Sequence, residues 1–204
     1  MSDEPSWALG RPKPPAWTRG ESETRFENAW VQVETYAATA PTGVETQYTV
    51  LRFRRFAVGI LPLHSDGTVA LVCQHRFPFD AYAWEMPEGG VPRGEDALEG
   101  AKRELREETG LSAREWREVL KVNFSNAITD EYGHCYVAWD LSEGETELDD
   151  TEAMDVVRVP FRALLEAVLN RQIEDAMTVA TTLRAYHMAR EGELPPDLAR
   201  AMLG

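Results

Sequence analysis

Between Gly89 and Leu111 the chain reads GGVPRGEDALEGAKRELREETGL, and this stretch restricts the fold more than any other. A glycine-rich turn opens it, a helix-forming run follows, and Gly110 sits where that helix would stop. Each residue of a helix turns the side-chain direction by roughly 100°. Glu104 and Glu108 are then i,i+4 neighbours and Glu104 and Glu107 are i,i+3 neighbours, so three carboxylates share one face. Like charges at that spacing repel by roughly 0.2–0.5 kcal/mol per pair. Something must offset this, and clustered carboxylate oxygens are the donors that hard divalent cations take. Leu98, Ala101 and Leu105 form an apolar stripe rotated roughly 100° from the acidic face. Such a helix can pack on a core and hold its carboxylates in a cleft. Arg103 lies one turn before Glu107 and follows Glu95 in the turn, placed to tie turn to helix and to orient the acids. Gly110 fits the glycine that follows a helix end.

Charge and length bound the rest. A chain of 204 residues, 43% hydrophobic, suffices for one domain with a small extension. Acidic residues number 35 and basic ones 21, a net charge of −14. That opposes nucleic-acid binding, which depends on Lys and Arg neutralising phosphates. A small polyanion can still bind if metals and a few placed arginines screen it locally. Cys73 and Cys135 lie in strand-like runs without metal-ligand spacing and read as buried thiols. No signal-like start and no apolar run of about 18 residues is present, so a soluble cytoplasmic protein with no membrane partner is expected.

Residues 1–20 are rich in proline and read as an irregular arm. Residues 21–54 read as a small antiparallel sheet: AWVQVETY alternates, a Pro-Thr-Gly turn follows, and ETQYTVLRF returns. Residues 55–204 form the main domain. FAVGILPL has the continuous apolar character of a strand covered on both faces, and TVALVCQHRF and AWEMP lead into the glycine turn. After the acidic helix come strands around 117–124, 134–141 and 155–160. Helices near 163–170 and 176–190 and a Pro-Pro helix start close the chain. The expected class is α/β (α+β), with helices packed on a mixed sheet.

Gly89, Glu95, Arg103-Glu104-Leu105, Glu107-Glu108 and Gly110-Leu111 stand at the spacings of a known signature. The stretch resembles that of the Nudix hydrolases, and every constrained position is met. Beyond it, residues 28–190 resemble the ADP-ribose pyrophosphatase branch. The likeness lies in the preceding sheet, Gln74-His75-Arg76, Trp84-Glu85-Met86-Pro87 and Gln172-Ile173-Glu174-Asp175-Ala176.

The resemblance implies an αβα sandwich with a mixed central sheet, and a homodimer built through the N-terminal sheet. It implies hydrolysis of a nucleoside diphosphate sugar, with Mg²⁺ or Mn²⁺ held by Glu104, Glu108, Glu107 and the backbone carbonyl of Glu88. Glu95 would pair with Arg103 rather than bind metal. Arg76, and similarly Arg54, would meet phosphate. Glu85 would hold an arginine or a substrate hydroxyl, and Trp30 or Tyr36 would stack a base. Two loops offer a general base, one with Asp130 and Glu131, the other with Asp149, Asp150 and Glu152. Glu131 and Glu152 are the chosen candidates. The branch carries Ser-Pro-Gly where this chain has Ser125-Asn126-Ala127, which opens GDP-mannose or another nucleotide sugar as the alternative to ADP-ribose. A non-catalytic nucleotide-sugar sensor commonly lacks signature carboxylates, and all are kept here. Hydrolysis of RNA ends would call for a basic patch that this acidic chain does not display.

Overall fold

The computed structural model describes residues 5–8, 10–146 and 153–204. The chain divides into two compact units, Met1–Phe53 with Ala127–Asp130, and Arg54–Asn126 with Glu131–Gly204.

The first unit is an antiparallel sheet of β1 (Thr18–Glu27), β2 (Val31–Thr39) and β3 (Glu45–Phe53), in that order. β2 and β3 carry the expected alternation. Asn28 turns the chain into β2 by accepting from the Trp30 and Val31 amides at 2.8 and 2.9 Å. Arg52 reaches across from β3 to Glu34 at 3.0 Å, and Tyr36 donates to the same carboxylate at 2.7 Å. The segment Ala127–Asp130 is stitched to β3. Leu51 donates to the Ile128 carbonyl at 2.8 Å, and the Phe53 amide donates to the Asp130 carboxylate at 2.9 Å. The sheet was expected to have two strands. β1 begins inside the stretch read as an irregular arm and all ten of its residues are exposed. TRGESETRFE has no period-2 apolar pattern, so only backbone pairing with β2 makes it a strand.

The second unit contains β4 (Arg55–Pro62), β5 (Thr68–Arg76), β6 (Ala81–Glu85), β7 (Glu88–Pro92), α1 (Ala97–Thr109), β8 (Leu111–Asn123), β9 (Tyr132–Glu143), β10 (Asp155–Pro160), α2 (Phe161–Leu169), α3 (Ala176–Arg190) and α4 (Pro196–Leu203). One sheet runs β7-β4-β9-β8, with β4 parallel to β9 and the other pairs antiparallel; a second runs β10-β5-β6. The alternation of β4 divides the core. Phe56, Val58 and Ile60 join Ala101 and Leu105 of α1, together with Tyr136 and Ala138 of β9. Leu61, Leu63, Cys135 and Val137 join Phe161, Leu164, Met177, Met188 and Met202 of α2, α3 and α4. Helices therefore cover both faces of a mixed sheet, as the continuous apolar run of β4 requires. Each fully buried Leu or Ile contributes about 1.5–3 kcal/mol.

Two elements of the second unit also differ from the sequence reading. Glu88–Pro92 is a strand rather than a turn, with Gly59 opposite Glu88 and Val58 opposite Gly89. Two glycines and a proline read locally as a turn, but pairing with β4 decides the conformation. β8 begins at Leu111 rather than near residue 117. Its first half, SAREWRE, is mostly charged and polar, and a register shift at Glu118/Leu120 breaks its alternation.

Candidate active site

The acidic helix is built as its sequence indicates. Asp96 caps α1 by accepting from the Leu98 and Glu99 amides at 3.0 and 3.1 Å. Gly110 ends it with φ 69°, its amide donating to the Arg106 carbonyl at 2.9 Å. Leu105 and Ala101 are fully buried, and Glu104 and Glu107 are half-buried on the neighbouring face.

Strand alternation in β7 assigns the site its two sides. Gly89 and Val91 face α1. A Cβ at Gly89 would overlap the Glu104 carboxylate, and one at Gly100 would overlap Val91. The absent side chain at Gly89 thus makes a cradle that Glu104 fills. Glu108 is only 2% exposed and accepts the Glu88 amide at 3.1 Å. Arg103 donates to Glu104 at 2.9 Å and Glu107 at 3.1 Å, and lies 3.8 Å from Glu95. Burial works against the Arg103 charge, but Glu104 and Glu107 outweigh it and its pKa rises. Like-charge repulsion on α1 is therefore offset here by Arg103.

The Glu88 side chain points to the opposite side, toward α3. Its Oε1 accepts from the Thr178 hydroxyl at 3.3 Å. Burial, and then the adjacent Asp175 and Glu85 carboxylates, push Glu88 well above the usual carboxylate range, with Arg76 opposing them. Arg76 is held by Glu85: its Nε reaches both carboxylate oxygens at 3.1 and 2.9 Å, and its Nη2 bonds Oε2. The Glu85 side chain is 6% exposed and that of Arg76 is 36% exposed. β5 and β6 are paired neighbours, with Arg76 opposite Ala81 and Val72 opposite Glu85, and they hold this fork.

The remaining candidates are distributed over both units. Trp30, 63% exposed in the turn after β1, belongs to the first unit, as do Tyr36 and Asp130. The Tyr36 ring is covered by the guanidiniums of Arg19 and Arg52, each 5.9 Å from its centroid. Asp130 is engaged by the Phe53 amide and, at 3.6 Å, by Arg52. Arg54 is exposed at the start of the second unit, where its carbonyl accepts the Arg93 amide at 3.4 Å. Glu131 is half-buried in the second unit and its carbonyl accepts the Phe124 amide at 3.2 Å. Asp149, Asp150 and Glu152 lie outside the described residues.

Comparison with known proteins shows the family. The family described as NUDIX domain matches residues 53–178, more than half of the chain. The chain belongs to the Nudix hydrolase family. The ADP-ribose pyrophosphatase of Bacillus subtilis (strain 168) is 34% identical over 124 residues, 60% of this chain and 67% of that protein. The ADP-ribose pyrophosphatase of Mycobacterium tuberculosis (strain ATCC 25618 / H37Rv) is 31% identical over 157 residues, 76% of this chain and 74% of that one. A crystal structure of an ADP compounds hydrolase shares the fold, with a TM-score of 0.79 at 22% identity, over 90% of this chain and all of the other. The Nudix sandwich expected from the sequence is present. Among the described residues no helix is long and apolar enough to cross a membrane.

Nudix hydrolases generally use divalent metal ions. The donor set here fits one: hard carboxylate oxygens on one helix face, with the Gly89 cradle beside Glu104. Among the described residues no three acidic, His or Cys side chains yet converge on one point. Arg103 engages Glu104 and Glu107, so a cation held by these carboxylates would compete with its guanidinium for their oxygens. Asp175 entered the sequence reading only within the segment 172–176, without a role at the site, and Thr178 was not singled out. Asp175 is legible as a helix cap before AMT, but the hydroxyl of Thr178 reaches residues 86 and 88, which no local pattern signals.

Proposed function

We propose that this Nudix hydrolase cleaves the diphosphate bridge of a nucleoside diphosphate sugar, ADP-ribose or a similar compound, to a nucleoside monophosphate and a sugar phosphate. The observation that carries the reading is the Glu104 carboxylate seated against Gly89, beside Glu108 bonded to the Glu88 amide. Glu104, Glu108, Glu107 and the Glu88 carbonyl would hold Mg²⁺ or Mn²⁺, which neutralises phosphate charge and lowers the pKa of attacking water. Arg76, aimed by Glu85, would bind the diphosphate through a charge-assisted fork. Arg54 would add a second cationic contact and Trp30 an aromatic face for the base. Glu131 would take the proton from water, with Glu152 the other candidate. The similarity to two ADP-ribose pyrophosphatases supports the substrate class. Ser125-Asn126-Ala127 keeps GDP-mannose as the second substrate to test.

The division of labour we propose has an arm over 1–20, a dimerising sheet over 21–54 and the hydrolase domain over 55–204. Cys73 and Cys135, both unpaired thiols, accord with a cytoplasmic setting.

The test is a panel of ADP-ribose, GDP-mannose, UDP-glucose, NADH and nucleoside triphosphates with Mg²⁺, products identified, on wild type and Glu108→Gln. A nucleotide sugar should yield nucleoside monophosphate and sugar phosphate. Glu108→Gln should lose most of kcat while remaining folded, because its amide oxygen can still accept the Glu88 amide. Inorganic phosphate released from a triphosphate as the preferred reaction would overturn the assignment.

A further inference from the structure

We propose that Thr178 is a positioning residue for the divalent-cation site, its buried hydroxyl setting the geometry of Glu88 from both sides of Pro87. The inference rests on the metal-dependent reading above. The peptide Met86-Pro87-Glu88 runs from the end of β6 into β7 and brings the Glu88 amide to Glu108 of the acidic helix. Three of its backbone groups have partners within the second unit. The Met86 amide donates to the Thr178 hydroxyl at 3.0 Å. The Pro87 carbonyl accepts the Ile60 amide at 2.9 Å. The Glu88 amide donates to Glu108 at 3.1 Å. The Thr178 hydroxyl in turn donates to the Glu88 carboxylate at 3.3 Å. One hydroxyl thus accepts from residue 86 and donates to residue 88, with both roles filled. Thr178 itself is fully buried, so neither contact can be replaced by solvent.

The place of Thr178 in α3 explains why its hydroxyl is available. Asp175 caps the helix and accepts the Thr178 amide at 2.7 Å, which puts Thr178 in the first turn. A threonine deeper in a helix commonly bonds back to the carbonyl four residues earlier. Here that residue precedes the helix, and the hydroxyl turns instead to β6 and β7. Gly59, opposite Glu88 in β4, keeps the approach open: a Cβ there would overlap Met86 and come within 2.7 Å of the Met177 methyl. The hydroxyl holds the Met86 amide and the Glu88 carboxylate, while Glu108 holds the Glu88 amide. The residue whose carbonyl would share a cation with Glu108 is therefore also held by a hydroxyl 90 positions away.

The experiment is Mn²⁺ binding, followed by the electron paramagnetic resonance signal of the free ion, on purified wild type, Thr178→Val, Thr178→Ser and Glu108→Gln. Thermal unfolding is recorded for each. Thr178→Val keeps the shape and loses both hydrogen bonds, and should weaken Mn²⁺ binding by about 10–100-fold, the usual cost of removing a group that orients a ligand. Thr178→Ser keeps the hydroxyl and should bind as wild type. If Thr178→Val does not fold, Glu88→Ala removes the side-chain anchor alone and should weaken binding in the same direction. Wild-type Mn²⁺ affinity in folded Thr178→Val or in Glu88→Ala, with binding lost in Glu108→Gln, overturns the positioning role alone. Equal weakening in Val and Ser also overturns it, since packing would then be the cause. Undiminished binding in Glu108→Gln would instead overturn the metal reading beneath it.

Discussion

Arg76 shows how a residue can serve two demands. Its guanidinium is gripped by Glu85, a carboxylate almost closed to solvent, while about a third of the arginine side chain stays open. The resemblance implies a phosphate contact for Arg76, and an arginine partner is one of the two roles it implies for Glu85. The geometry makes the pairing definite, so truncation has two consequences. Arg76→Ala leaves Glu85 buried without its fork, which should cost about 1–3 kcal/mol of stability in urea unfolding. If the phosphate contact also exists, KM for the best nucleotide sugar should rise about tenfold or more, since a charged hydrogen bond is worth about 1.5–3 kcal/mol. A stability loss with unchanged kinetics would leave Arg76 as a structural partner only.

At the scale of elements, α1 is limited by how closely it approaches β7. Gly100 lies inside the helix, where alanine would ordinarily gain roughly 0.5–1 kcal/mol. Its Cβ would overlap the Val91 methyl groups, and overpacking of a close core contact costs about 1–3 kcal/mol. Gly100→Ala should therefore lower the unfolding midpoint, and a raised midpoint would show that β7 yields. β9 makes a different prediction. Burial pushes the Cys135 thiol up to about 11, with a contact from Thr181 partly opposing it. Between the ordinary value of 9.0 and about 11, the unfolded chain loses a proton that the folded chain keeps. Stability from this group is present below the ordinary thiol pKa and is lost as pH rises through that window. The urea midpoint of wild type should fall more steeply over this range than that of Cys135→Ala. Parallel curves would contradict the assignment.

The whole molecule raises the question of what covers the first unit. A three-stranded sheet is a small element to stand alone, and β1 offers a long edge with every residue exposed. A homodimer through this sheet is the arrangement we propose. Light scattering at micromolar concentration should show twice the chain mass of 23.0 kDa, and a β1 deletion should return the monomer. A wild-type monomer would rule it out. β1 carries Arg19 and Arg25 beside Glu21, Glu23 and Glu27, so a second copy can meet this edge through backbone pairing and opposite charges together.

Much of the site is local, and so it was readable. Helix periodicity alone places Glu104, Glu107 and Glu108 on one face and Leu105 beneath them, because i,i+3 and i,i+4 neighbours are set within a single turn. The cap at Asp96 and the stop at Gly110 follow from the same few residues. The continuous apolar run of β4 likewise announces a strand covered on both faces. What pairs at a distance was not readable. Glu88–Pro92 became a strand because β4 lay beside it, and β1 because β2 did, though neither carries an alternating pattern. The side to which Glu88 points, toward Thr178 and Asp175 rather than Glu104, was decided by the pleat of β7 once its register with β4 was set. Local patterns determine which faces an element has. Long-range hydrogen bonding and close packing determine what each face meets, because the energy of those contacts belongs to pairs of residues some ninety positions apart in the chain.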